Sequence, residues 1–239
     1  MLKEFIDKIL ILGEPNIEEF YGLAYSDKTM TLIKEPQPGA LHTGSLSSLV
    51  QYLNAKNLDG GSKKGCFLHI TSPVSVSIRL PLNATQQRAE LLEATHPKEL
   101  RTQIFGDYYD IESFVIKMKT RFIETEASRS VVQLVGNIRD SKVAKVVDDG
   151  ISQQVSTSMG IASISDVVIP NPIVLRPYRT FFEVDQPASP FLLRLKQGQN
   201  GQMPSCALFE TDGGMWEKEA MESIREYLVK HLPDMVILA

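Results

Sequence analysis

Cysteine is scarce: Cys66 and Cys206 are the only two in 239 residues. That excludes a disulfide-stapled scaffold and a four-thiolate zinc cage. The four histidines, His42, His69, His96 and His231, never fall at the helical spacing that puts two imidazoles on one metal. Base is not in excess either. Lys and Arg number 25 against 29 Asp and Glu, a formal net charge of −4, which excludes a generally basic sheath for nucleic acid. No stretch approaches the roughly 18 uninterrupted apolar residues of a membrane span. Glu4 and Asp7 stand where a signal peptide needs an apolar run. What is present is an ordinary globular composition, 43% hydrophobic and 23% charged, enough to bury a sizeable core.

Periodicity points to helices and strands mixed along the chain. Leu2, Phe5, Ile6, Ile9 and Leu10 form a helical stripe that Gly13 and Pro15 end. Tyr21 to Ile33 reads as one strand. Leu46, Leu49, Val50 and Leu53 share a second helical face, with Thr43 or Ser45 as N-cap. Asp59 to Gly65 is the loosest stretch and the expected boundary, giving a helix-strand-helix subdomain at 1–60 and a main domain at 66–239, or one continuous domain. Strands are expected at 66–70, 74–80, 88–95, 143–147, 151–157, 190–196 and 205–211. Ile111, Phe114, Val115, Met118 and Phe122 make the clearest helix, capped by Asp110. A shorter one is expected around Val131 to Ile138. In the last helix Asp212 is the expected cap, and Trp216, Ile224 and Leu228 are expected in the core. The strands lack regular β-α-β alternation, so the expected fold is α+β, with a mixed, largely antiparallel sheet and packed helices.

Catalytic signatures are missing. There is no Gly-x-Ser-x-Gly elbow. Gly60-Gly61-Ser62-Lys63-Lys64-Gly65 lacks the Gly-Lys-Ser/Thr ending of a phosphate loop and reads as a flexible loop. Neither cysteine sits in a nucleophile motif with a histidine. Carboxylates pair at Asp148-Asp149, Glu183/Asp185 and Glu210/Asp212, and Asp148, Glu210 and Asp212 could together hold a divalent metal. The competing reading makes Asp149-Gly150 a hairpin turn and Asp212 a cap. No cofactor is called for.

Pro170 to Phe181 carries Arg176, Tyr178 and Arg179 in a proline-stiffened extended run, and Arg194 follows in the next strand. Guanidinium forks beside a stackable ring suit phosphates and bases. The alternative is that these arginines pair with Glu183, Asp185 or Glu210 across strands. Strand alternation puts Arg176 and Tyr178 on one face and Arg179 on the other. Bases dominate from Phe114 to Lys145 and acids from Glu210 to Ala239, a contrast that intrasubunit contact or a homo-oligomer could satisfy.

The ordered run Asp148-Asp149-Gly150-Ile151-Ser152-Gln153, Pro170-Asn171-Pro172, Arg176-Pro177-Tyr178-Arg179-Thr180-Phe181, Glu183-Val184-Asp185-Gln186-Pro187, Ser189-Pro190-Phe191, Arg194 and Leu208 to Trp216 resembles the YfdQ-like family of phage- and prophage-encoded proteins of unknown function. The likeness covers roughly Tyr109 to Leu228, with a fainter echo over Leu41 to Thr95. It implies a phage or prophage origin and the host bacterial cytoplasm, and it assigns no site. The expected function is therefore binding without turnover: self-assembly and sequestration of a phosphate-bearing ligand, nucleotide or nucleic acid. A metal-dependent enzyme on nucleotides or DNA, and an accessory single-strand-binding protein, are the alternatives.

Overall fold

A computed structural model describes residues 2–13, 15, 17–20, 23–26, 36–37, 39–55, 64–84, 86–97, 105–139, 142–148, 153–158, 164–168, 171–196 and 204–239. Residues 1–37 with 82–88 form one compact unit, and 38–81 with 89–239 form a second. The smaller unit holds helix α1 (Leu2–Gly13) and an antiparallel hairpin of β1 (Ile17–Phe20) and β2 (Leu23–Ser26). The strand expected over Tyr21 to Ile33 thus reduces to β2, and its remaining residues fall outside the described ones.

The larger unit contains two cores. The first is built on a five-stranded mixed sheet in the order β14-β4-β5-β6-β3. Its strands are β3 (Leu41–Thr43), β4 (Phe67–Ser72), β5 (Ser75–Arg79), β6 (Glu90–Thr95) and β14 (Ile237–Leu238). β4, β5 and β6 pair antiparallel; β3 joins β6, and β14 joins β4, in parallel. Helices α2 (Leu46–Asn54) and α5 (Met215–His231) bury Leu46, Leu49, Ile224 and Leu228 against Leu68, Ile70, Val76 and Ile78. Ser45 caps α2, its hydroxyl accepting the Ser48 N–H at 3.3 Å. α2, expected in the 1–60 subdomain, packs in this core together with β3, which pairs with β6.

The second core lies under a four-stranded antiparallel sheet, β11-β12-β13-β7. The strands are β7 (Tyr109–Asp110), β11 (Ile173–Leu175), β12 (Ser189–Lys196) and β13 (Ser205–Glu210). Helices α3 (Ile111–Arg121) and α4 (Glu126–Arg139) cover it, burying Phe114, Met118, Val131 and Val135 against Ile173, Leu175, Phe191 and Leu193. The Asp110 carboxylate caps α3 by accepting the Ser113 N–H at 2.9 Å, and hydrogen bonding to Ser113 holds it below its ordinary pKa. α4 is a full helix where only a short one was expected, since packing on the sheet overrides the poor propensity of Val131-Val132 and Gly136. A separate antiparallel sheet, β10-β9-β8, is formed by β8 (Lys142–Asp148), β9 (Gln153–Ser158) and β10 (Ile164–Val168). It contains the expected 143–157 hairpin, whose turn lies outside the described residues.

Cys66 sits in the first core and Cys206 in the second; both are buried and neither is in a disulfide. Burial pushes the Cys206 thiol up to about 12. The architecture is α+β. Residues 176–188 run from one core to the other, with Leu175 buried in the second and Phe181 in the first.

Candidate functional site

The extended segment after β11 is fixed along its outer edge. Arg176 C=O accepts the Ile123 N–H and Arg121 C=O accepts the Tyr178 N–H, both at 2.8 Å, around a bridge between Phe122 and Pro177. Pleat alternation then decides each side chain's fate. Leu175, Pro177 and Arg179 point inward and are buried; Val174, Arg176 and Tyr178 point outward.

Inward, Arg179 enters a polar network through its two terminal nitrogens. Its Nη1 donates to Glu210 and its Nη2 to Ser189 Oγ, while Ser189 Oγ donates to Asp212. The guanidinium carbon lies 4.0 Å from the centroid of the Trp216 ring. Burial pulls the Arg179 pKa down, and Glu210, Asp212 and Glu219 act against that pull. For Asp212, burial also opposes the charge. Hydrogen bonds from Ser189 and the Gly214 N–H, with the Arg179 charge, outweigh it and hold the carboxyl below its usual range. Gln186, also buried, substitutes for a strand: its Oε1 accepts the Arg179 N–H at 2.9 Å and the Thr180 N–H at 3.1 Å, and its Nε2 donates to Phe181 C=O at 3.0 Å. Thr180 Oγ1 donates to Pro73 C=O. Glu183 accepts from Ser47 N–H at 3.0 Å and Ser47 Oγ at 3.1 Å.

Two expectations are corrected here. Trp216 is half-buried against Arg179 and stays outside the apolar core, where Ile224 and Leu228 do lie. Asp212 is not the cap of α5. Gly214 holds that position with φ 87°, after Gly213 at φ 66°, and Asp212 instead receives the Gly214 N–H at 2.9 Å. The two positive φ angles are what that Gly-Gly pair permits.

Outward, Arg176 anchors its Nε on Gln186 C=O at 2.9 Å, which leaves the two terminal amino groups of the fork for a ligand. It borders a groove of about 760 Å³ between α4 and β11, lined by Ala127, Val131 and Leu134 on one side and Pro172, Ile173 and Val174 on the other. Tyr178 is half-buried, its ring 6.1 Å from that of Phe182, which is 59% exposed. The buried His96 ring supports Phe182 from behind at 5.2 Å.

The expected ligand set therefore divides. Arg176 and Tyr178 share a face; Arg179 is on the other and occupied. Arg194 lies on the outward face of β12, six residues along the strand from the level of Arg176, about 20 Å at a strand's rise. Of the carboxylates proposed for metal, Glu210 meets Arg179 and Asp212 meets Ser189; Asp148 ends β8, its side chain outside the described residues. Among the described residues no group of three or more His, Cys, Asp and Glu could hold a metal ion. Phe182, Gln186 and Ser189 escaped sequence reasoning; the adjacent aromatics Phe181-Phe182 offered a signal, and of the two Phe181 is buried and Phe182 exposed.

Comparison with protein-family models, with curated proteins and with solved structures finds no match. The resemblance over the 148–216 motifs stands on those residues alone. No helix among the described residues is long and apolar enough to cross a membrane.

Proposed function

We propose that this chain is a binding protein without turnover that sequesters a nucleoside phosphate on its Arg176–Tyr178–Phe182 face and works as an assembly of copies, in keeping with the phage or prophage origin that its motif run implies. The observation that carries the reading is the side-by-side outward placement of Arg176 and Tyr178 on a backbone pinned from behind by Arg179 and Gln186. A rigid platform spares the ligand the ordering cost of its own site. The Arg176 fork takes phosphate oxygens, and the base stacks on Tyr178 with Phe182 beside it. One cation with two rings suits a single nucleotide better than a tracked strand, because Arg194 is too distant to continue a basic path. The metal-dependent alternative draws no such support, since Glu210 and Asp212 are engaged by Arg179 and Ser189.

Titration of folded parent and Arg176→Gln protein with ADP tests this. Loss of a charge-assisted contact of about 1.5–3 kcal/mol weakens binding roughly tenfold to a hundredfold. Equal affinity in the two proteins overturns the assignment. Tighter, strongly salt-dependent binding of a single-stranded oligonucleotide than of ADP would favour the accessory DNA-binding reading instead.

A further inference from the structure

Beyond Arg176, on the side away from Tyr178, lies the apolar groove between α4 and β11. We infer that this groove takes an apolar group esterified to the bound phosphate, so that the ligand is a nucleoside phosphodiester with a hydrocarbon tail. The inference rests on the nucleoside phosphate reading and names the class of ligand.

Arg176 stands between two surfaces. Tyr178 is two residues further along the extended segment on the same outward face, and Val174 is two residues back, each about 7 Å away at a strand's rise. The rings therefore lie to one side of Arg176 and the groove to the other. The Nε bond to Gln186 C=O holds the guanidinium in place, and Ala188, two residues beyond that carbonyl, is itself part of the groove wall. A phosphate on the fork, with its base on the rings, meets the groove with whatever its other ester oxygen carries.

The groove matches a hydrocarbon chain in length and polarity. Along α4 it runs from Glu126 to Leu134, about 12 Å at a helix's rise. Along β11 it runs from Arg176 back to Pro172, about 13 Å. Glu126 and Arg176 mark the same end, because the Ile123 N–H donates to Arg176 C=O just before α4 begins. The hydroxyls bordering the groove serve their own helix. Thr125 Oγ1 accepts the Ser128 N–H at 3.1 Å, and Ser130 Oγ donates to Glu126 C=O at 2.9 Å. The polar side chains that remain in the wall are Arg176 and Glu126, so one end is charged and the rest is apolar.

Those two charges select the head. Arg176 attracts a phosphate, while Glu126 repels a second negative charge on it. A phosphodiester carries one negative charge where a terminal phosphate carries up to about two. The pair therefore favours the diester, and the second ester bond is what attaches a tail.

Calorimetric titration of the folded protein with AMP and with its octyl phosphodiester, kept below micelle-forming concentration, tests this. Each methylene withdrawn from water strengthens binding by up to roughly fourfold, so the parent should bind the octyl diester at least about tenfold tighter than AMP. Val174→Asp sets a carboxylate in the groove wall, and there the same ratio should fall below about threefold. If that variant fails to fold, a series of methyl to octyl diesters on the parent decides: affinity that rises with chain length supports the groove, and a flat series overturns it. Equal binding of AMP and octyl diester by the parent, or a ratio that Val174→Asp leaves unchanged, overturns the inference and leaves the nucleotide reading standing. Octyl phosphate bound as tightly as the octyl diester, or a parent that binds none of the three, overturns both.

Discussion

Arg176 and Arg179 sit three residues apart on one extended segment, yet their guanidinium groups have almost nothing in common. Arg179 is 7% exposed, bonded to Glu210 and Ser189 and stacked on Trp216. Arg176 keeps one bond to a carbonyl and turns the rest of its fork to the groove. The pleat alone produces the difference, because an odd offset puts two strand residues on opposite faces. Clustering in sequence therefore does not make a site. The inward arginine holds the platform, and the outward one is free to use it.

The largest expected effect comes from breaking the inner pair. Glu210→Gln leaves the buried Arg179 charge without its carboxylate and should cost about 3 kcal/mol of unfolding free energy, read by urea denaturation. Gln186→Ala removes the side chain that serves the Arg179, Thr180 and Phe181 backbone groups. We expect about 2 kcal/mol lost, and weaker ADP binding as the outward face loosens.

A smaller effect should follow pH. Asp212 titrates below its unfolded value, so its contribution is present above the unfolded pKa of about 4 and fades as pH falls through the folded one. The stability gap between parent and Asp212→Asn should accordingly be widest near neutral pH and narrow in acid, as melting at stepped pH would show. A gap that widens in acid contradicts the assignment. The smallest effect on stability belongs to Phe182→Ser, because that ring is mostly exposed. The melting temperature should hardly move while ADP affinity falls severalfold.

How much of this was legible beforehand depends on the range of the interaction. The caps Ser45 and Asp110, the stripe of α3 and the β12–β13 hairpin are local, and periodicity with capping chemistry finds them. The opposed directions of Arg176 and Arg179 follow from the period of two, and the sequence reading had them. Trp216 stands on a helical stripe that looks apolar, whereas its partner is a cation on the extended segment after β11. Gln186 and Ser189 carry no local signature; their roles exist only because residues 176–188 cross between two cores. The parallel additions of β3 and β14 were likewise invisible, since both strands are too short to show a pattern and pair with distant chain.

The central claim, that one face of the segment holds the fold and the other holds the ligand, is tested most directly by urea unfolding of Arg179→Gln and Arg176→Gln beside the parent. The account predicts a loss of about 3–5 kcal/mol for Arg179→Gln, which empties a buried network and leaves the half-buried Glu210 carboxylate without its partner, and under about 1 kcal/mol for Arg176→Gln. Equal losses, or a larger one at Arg176, would contradict it.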